Sequence, residues 1–116
     1  GANAAITQYF FNGDAYFRFV DEARKLGVDV PIVPGIMPIT NYSQLMRFSE
    51  MCGAEVPRWV AKRLESFGDD KEAIRAFGLD VVTQLCERLV KEGAPGLHFY
   101  TLNAATATKA ICERLA

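Results

Sequence analysis

A glutamine interrupts the apolar run AAITQYFF, Ala4 to Phe11. Period-two alternation puts Ile6, Gln8 and Phe10 on one face and Ala5, Thr7, Tyr9 and Phe11 on the other. Both faces are largely apolar, as in a parallel strand covered on both sides. A side-chain amide there must find hydrogen-bond partners or cost roughly 1–3 kcal/mol. Gln44 and Phe48 are the next pair of interest, because i, i+4 spacing on a helix gives an amide and an aromatic ring one shared face. Tyr100 lies near the end of another apolar run, on the face of His98 and Leu102. These groups could bind and orient a ligand, but each has a structural rival. Gln8 could bond neighbouring side chains inside a core. Gln44 stands three residues after Asn41 and could complete a capping box. Phe48 could fill a core, and Tyr100 could be a core tyrosine with a satisfied hydroxyl.

Other chemistry is poorly represented. Asp69 and Asp70 form a helix start and not a catalytic dyad. The helix beginning at Asn103 could receive an anion, as any helix N-terminus could. His98 is the single histidine and has no carboxylates or thiols at ligand spacing, which argues against a metal site. Cys52, Cys86 and Cys112 are far apart, odd in number and lack CxxC pairing, so they read as buried free thiols of a reducing, cytoplasmic compartment. No nucleophile elbow, P-loop or dinucleotide fingerprint is present. Spacing alone names no reaction.

Alternating strands and helices must position these residues. After the first strand, NGDAY turns the chain, with Asp14 as the expected N-cap. Tyr16, Phe19, Val20, Ala23 and Leu26 recur at helical spacing, and Gly27 closes that helix. VDVPIVPGIMP follows as an extended segment. Its prolines argue against regular ladder positions, but Ile32, Val33 and Ile36 are strand-like. Asn41 caps a helix bearing Leu45, Phe48 and Cys52 and ending at Gly53. Pro57 suits the first turn of another, with Val60, Leu64 and Phe67 in line. GDDKEAIRAF opens a long helix with stripe Ile74, Phe77, Val81, Leu85 and Leu89, ended by Gly93. GLHFYTL is a third strand, and Asn103 caps a last helix with Ala107, Ile111 and Leu115.

The predicted order is β-α-β-α-α-α-β-α, an α/β class with parallel strands and right-handed crossovers. Helices on one side of three strands would leave the other sheet face bare. A (β/α)8 barrel solves this by closing on itself, with eight such units in about 250 residues. The 116 residues supply three, so the chain reads as part of such a barrel, with a small doubly wound sheet as the alternative. In a barrel, ligands bind at the C-terminal mouth, where Gln8, Gln44, Phe48 and Tyr100 would lie.

Half of the residues are apolar and the formal charge is −1. That is a globular composition with no basic stripe for nucleic acid. No apolar run approaches the ~20 residues of a membrane span, and no signal peptide opens the chain. A core strand begins three residues from Gly1 without an initiator methionine, so a longer parent protein is expected.

The strings AAITQYFF, IVPGIMPITNYSQLMRF and GLHFYTLN closely resemble methylenetetrahydrofolate reductases of the bacterial type. VPRWV and the helix from Asp69 to Gly93 resemble the intervening region, so the likeness runs over the whole chain. The resemblance implies a TIM-barrel flavoprotein, with residues 1–116 as the C-terminal portion of a single reductase domain and its last three βα units. It implies reduction of 5,10-methylenetetrahydrofolate to 5-methyltetrahydrofolate by NAD(P)H through FAD, ping-pong fashion, in one-carbon metabolism and methionine biosynthesis. A cytoplasmic homo-oligomer is expected. By the same resemblance, Gln8 contacts the pterin beside the flavin and also meets the nicotinamide nucleotide. Gln44 contacts folate, Phe48 stacks on either substrate, and Tyr100 lies near the folate. Gln8 would then be tolerated among apolar neighbours because it addresses a polar heteroaromatic edge, a source of specificity. Two departures stand out. Ala104 replaces the usual arginine after FYTLN, removing a contact to the folate tail. The family's general acid, the aspartate near the flavin and most FAD contacts lie upstream, so no catalytic residue falls in this chain. The competing reading is a degenerate, non-catalytic barrel half that scaffolds a partner.

Overall fold

A three-stranded parallel sheet, in the order β1-β2-β3, organises the chain. The structure, a computed structural model, describes residues 4–100 and 105–115, and the backbone alone for 105–107. The strands are β1 (Ala5–Tyr9), β2 (Ile32–Ile36) and β3 (His98–Phe99). The helices are α1 (Gly13–Lys25), α2 (Tyr42–Cys52), α3 (Arg58–Ser66), α4 (Lys71–Lys91) and α5 (Ala105–Leu115). This is the element order predicted from periodicity. The sheet is open, so the barrel expected from the sequence is not contained in these residues: three strands give too short an arc to close.

Local chemistry explains most boundaries. Asn12, not Asp14, caps α1, its Oδ1 accepting the Asp14 N–H at 3.0 Å. Asp14 instead sits in the first turn and pairs with Arg88 of α4. Asn41 caps α2 and Asp70 caps α4, each accepting from the N–H three residues on. Gly53 ends α2 at φ 70°, a left-handed conformation open to glycine without strain. The expected cap at Asn103 lies outside the described residues.

The core sits where α1 and α4 meet the sheet, around Ile32, Ile36, Val82, Cys86 and Leu89, and it continues to Ile111 of α5 and to Val60 and Leu64 of α3. The Tyr16 hydroxyl donates to the Ile32 carbonyl at 2.6 Å, pinning α1 to β2. Arg114 bonds Asp80 at 2.6 Å and ties α5 to α4. Gly78 allows the segment after β2 to touch α4, since a Cβ there would lie 2.6 Å from the Ile39 carbonyl oxygen. No helix among the described residues is long and apolar enough to cross a membrane.

Three sequence expectations are corrected. Strand β1 is not covered on both sides: Ile6 is 54% exposed and Gln8 is exposed, because helices pack only the opposite face. The stripe of α1 is narrower than predicted. Tyr16 and Ala23 are buried and Val20 half-buried, whereas Phe19 and Leu26, at the stripe's margins, are 52% and 83% exposed. Only Cys86 is a buried thiol. Cys52 is exposed at the last position of α2, past the final buried residue Ser49, and Cys112 lies about 100° around α5 from the buried Ile111.

Candidate functional site

The middle of the sheet carries a proline, which cannot donate to a ladder and is normally confined to edges and bulges. Pro34 lies fully buried in β2, the strand paired on both sides. The neighbouring strand β1 carries a bulge. Ile6 pairs with Val33 and Tyr9 with Gly35, so β1 advances three residues while β2 advances two. The extra residue falls at Thr7–Gln8, beside Pro34.

Side chains replace the interrupted ladder there. The Gly35 N–H donates to Thr7 Oγ1 at 2.9 Å, and the Tyr100 hydroxyl donates to the Thr7 carbonyl at 2.9 Å. The Tyr9 N–H donates to Gln8 Oε1 at 3.0 Å. Glycine is required at position 35, because a Cβ would fall 2.5 Å from the Thr7 carbonyl oxygen and 2.7 Å from the Tyr100 ring. The Tyr100 N–H donates to the Ile36 carbonyl at 2.8 Å, carrying β3 one residue past its ladder. Thr7 thus links all three strands, at a bulge of the kind that re-aims side chains beside ligand sites.

Each predicted site residue can now be located. Gln8 is exposed, with its amide oxygen engaged by the backbone and its amide nitrogen without a hydrogen-bond partner among the described residues. Tyr100 is half-buried, edge-on to Tyr9 at 6.0 Å and to His98 at 4.9 Å, with its hydroxyl satisfied by Thr7. The Gln44 N–H donates to Asn41 Oδ1 at 2.9 Å, the capping half of the predicted box. Phe48 is half-buried and does not belong to the hydrophobics packed on the core. Next to it, Ser49 is buried and shares a 2.9 Å hydrogen bond with the Tyr9 hydroxyl, fastening α2 to the residue after Gln8. The bulge therefore brings the Tyr100 hydroxyl to the residue before Gln8, while Ser49, the neighbour of Phe48, bonds the residue after it. Ala104 lies outside the described residues.

Sequence reading missed Thr7, Tyr9, Gly35 and Ser49. The available signal was Gly35 inside a strand, which marks a bulge or a close backbone approach. The assembled groups are amides, hydroxyls and aromatic rings. They can donate and accept hydrogen bonds and stack on a flat ligand, but they offer no activated nucleophile.

The family model for methylenetetrahydrofolate reductase matches residues 1–116. The 5,10-methylenetetrahydrofolate reductase of Escherichia coli strain K12 is 40% identical over 115 residues, covering 99% of this chain and 39% of that protein. The enzyme of the same name from Pectobacterium carotovorum is 41% identical over the same shares. Methylenetetrahydrofolate reductase (NADH) 1 of Arabidopsis thaliana is 39% identical over 103 residues, 17% of its length. The chain thus spans about two fifths of the bacterial relatives it matches. Among solved structures, a Clostridium thermocellum protein that binds two copies of 5-methyl-5,6,7,8-tetrahydrofolic acid superposes with a TM-score of 0.64. It is 19% identical and covers 99% of this chain and 43% of its own, so the likeness is one of fold. The match along the full chain and the relatives at about 40% identity establish that this chain belongs to the methylenetetrahydrofolate reductase family.

Proposed function

We propose that this chain forms the folate- and nucleotide-contacting wall of a flavin-dependent reductase that converts 5,10-methylenetetrahydrofolate to 5-methyltetrahydrofolate with NAD(P)H. The carrying observation is Gln8: in a chain of this family, an amide stands exposed on the open sheet face with its oxygen bonded and, among the described residues, no partner on its nitrogen. In the proposed whole protein, the bare face of β1 turns toward the lumen of a closed (β/α)8 barrel, completed by strands outside this chain. Gln8, Gln44, Phe48 and Tyr100 then line its mouth. Gln8 donates to an acceptor on the edge of the pterin or nicotinamide, Phe48 supplies a stacking surface, and Gln44 and Tyr100 bound the folate. The absence of an activated nucleophile among these groups suits a binding wall.

The residues fit a flat heteroaromatic group: an exposed amide donor, a half-buried ring off the core, and a tyrosine edge. FAD, when bound, supplies two-electron transfer between nicotinamide and folate. Shared use of one place by the two substrates gives ping-pong turnover. The test is Gln8→Ala in the full-length protein. Loss of one hydrogen bond to a neutral group costs about 0.5–1.5 kcal/mol, so a several-fold rise in apparent KM for folate is expected with flavin content intact. Unchanged kinetics with a large drop in Tm would leave Gln8 a structural residue only.

A further inference from the structure

Gln8 owes its orientation to its neighbours, not to its own burial. A side chain on an open face has no packing to select its rotamer, and an exposed glutamine ordinarily samples several. Here the bulge beside Pro34 leaves the Tyr9 N–H without a ladder partner, and Gln8 Oε1 accepts it. The bulge itself is held from both sides by Thr7. Its hydroxyl accepts the Gly35 N–H of β2, and its carbonyl accepts the Tyr100 hydroxyl reaching over from beyond β3. Without the hydroxyl, the buried Gly35 N–H would lose its 2.9 Å side-chain bond, and the bulge would lose its tie to β2.

We propose that Thr7 is a positioning residue: by clamping the β1 bulge to Gly35 and Tyr100, it holds the Gln8 amide so that only its NH2 faces the ligand. The inference rests on the reading of Gln8 as a ligand contact and deepens it. The site then selects a hydrogen-bond acceptor at that point of the ligand. A donor placed there would meet another donor, with no oxygen able to rotate in without breaking the bond to Tyr9. Pro34 is tolerated in the central strand because its missing N–H falls on the β3 side, before the β2–β3 ladder begins at Gly35 and His98.

The test is a double-mutant cycle in the full-length protein, read as the dissociation constant for 5-methyltetrahydrofolate by calorimetry, with Tm measured alongside. Thr7→Val keeps the side-chain shape and removes the hydroxyl, whereas Thr7→Ser retains it. Thr7→Val is expected to weaken binding about three- to tenfold, and Thr7→Ser by less than about twofold. In a Gln8→Ala background, Thr7→Val should weaken binding by less than about twofold further, although its effect on Tm persists. If Thr7→Val does not fold, Thr7→Ala removes the same hydroxyl and enters the same cycle with the same expectation. Equal weakening in both backgrounds, or a serine variant as weak as valine, would overturn the positioning role while leaving Gln8 a contact. A Gln8→Ala variant that binds as tightly as the unaltered protein would overturn the contact itself, and the clamp's purpose with it.

Discussion

At the scale of the residue, the informative contrast is between Phe48 and the side chains that resemble it in sequence. Val60 and Leu64 follow helical spacing into the core, and they are buried. Phe48 follows it too, yet stays half-buried and off the core, while its neighbour Ser49 takes the buried position with a bond to Tyr9. On the proposed reading, such a ring contributes little core packing and serves as a stacking surface. Phe48→Leu in the full-length protein should therefore leave Tm nearly unchanged. It should raise the apparent KM for nucleotide, folate or both several-fold, with flavin content intact. Unaltered kinetics beside a loss of stability above about 1 kcal/mol, the cost of a poorly filled core position, would return Phe48 to the core.

At the scale of the element, two contacts set how α4 sits against its surroundings. Gly78 lies mid-helix, where alanine would ordinarily gain up to about 1 kcal/mol in helix propensity. The added methyl would instead meet the Ile39 carbonyl oxygen at 2.6 Å and its Cβ at 2.7 Å, both on a segment with little freedom to retreat. Gly78→Ala should thus destabilise by about 1–3 kcal/mol, and a variant as stable as the parent by urea unfolding would contradict the close approach. The second contact is Arg88, which bonds Asp14 at the start of α1 and Glu92 on its own helix, and lies over the Phe17 ring at 5.4 Å. The Arg88 guanidinium, through its hydrogen bond and charge, holds the Asp14 carboxyl below its ordinary value of 3.8. A lowered folded-state value stabilises above the unfolded value and ceases to do so as pH falls through the folded one. Asp14→Asn should accordingly lower Tm slightly near neutral pH. The difference should shrink progressively as pH drops below about 4. A gap that stays constant across that range would assign the effect to something other than the ion pair.

At the scale of the whole molecule, the sheet is an unfinished surface. Helices cover one face, while Ile6 and Gln8 leave the other open at β1. Exposed apolar side chains beside an unpaired strand edge are a template for association. The 116 residues expressed alone should therefore self-associate, seen as a concentration-dependent mass in light scattering, and should not retain flavin. Stoichiometric, tightly held flavin on the isolated chain would refute the proposal that its binding wall needs the strands of a larger barrel.

The sequence by itself determined the element order, the parallel class, the cap at Asn41, the helix start at Asp69 and Asp70 and the membership of a reductase family. These depend on local periodicity, on short-range hydrogen bonding and on strings of residues that neighbours in space do not alter. It also singled out Gln8, Gln44, Phe48 and Tyr100 from their positions near strand and helix ends. Only the tertiary structure decided what surrounds them. The bulge at Thr7–Gln8 lies beside Pro34 and Gly35, 26 to 28 residues away along the chain, and becomes visible only once β1 and β2 are in register. The Tyr100 bond to Thr7 spans 93 residues and depends on β3 reaching the far side of β2. Exposure followed the same rule. Cys52, Cys112, Phe19 and Leu26 carry the apolar or thiol character of core residues, yet which face of a helix meets the sheet depends on packing partners that no local pattern specifies.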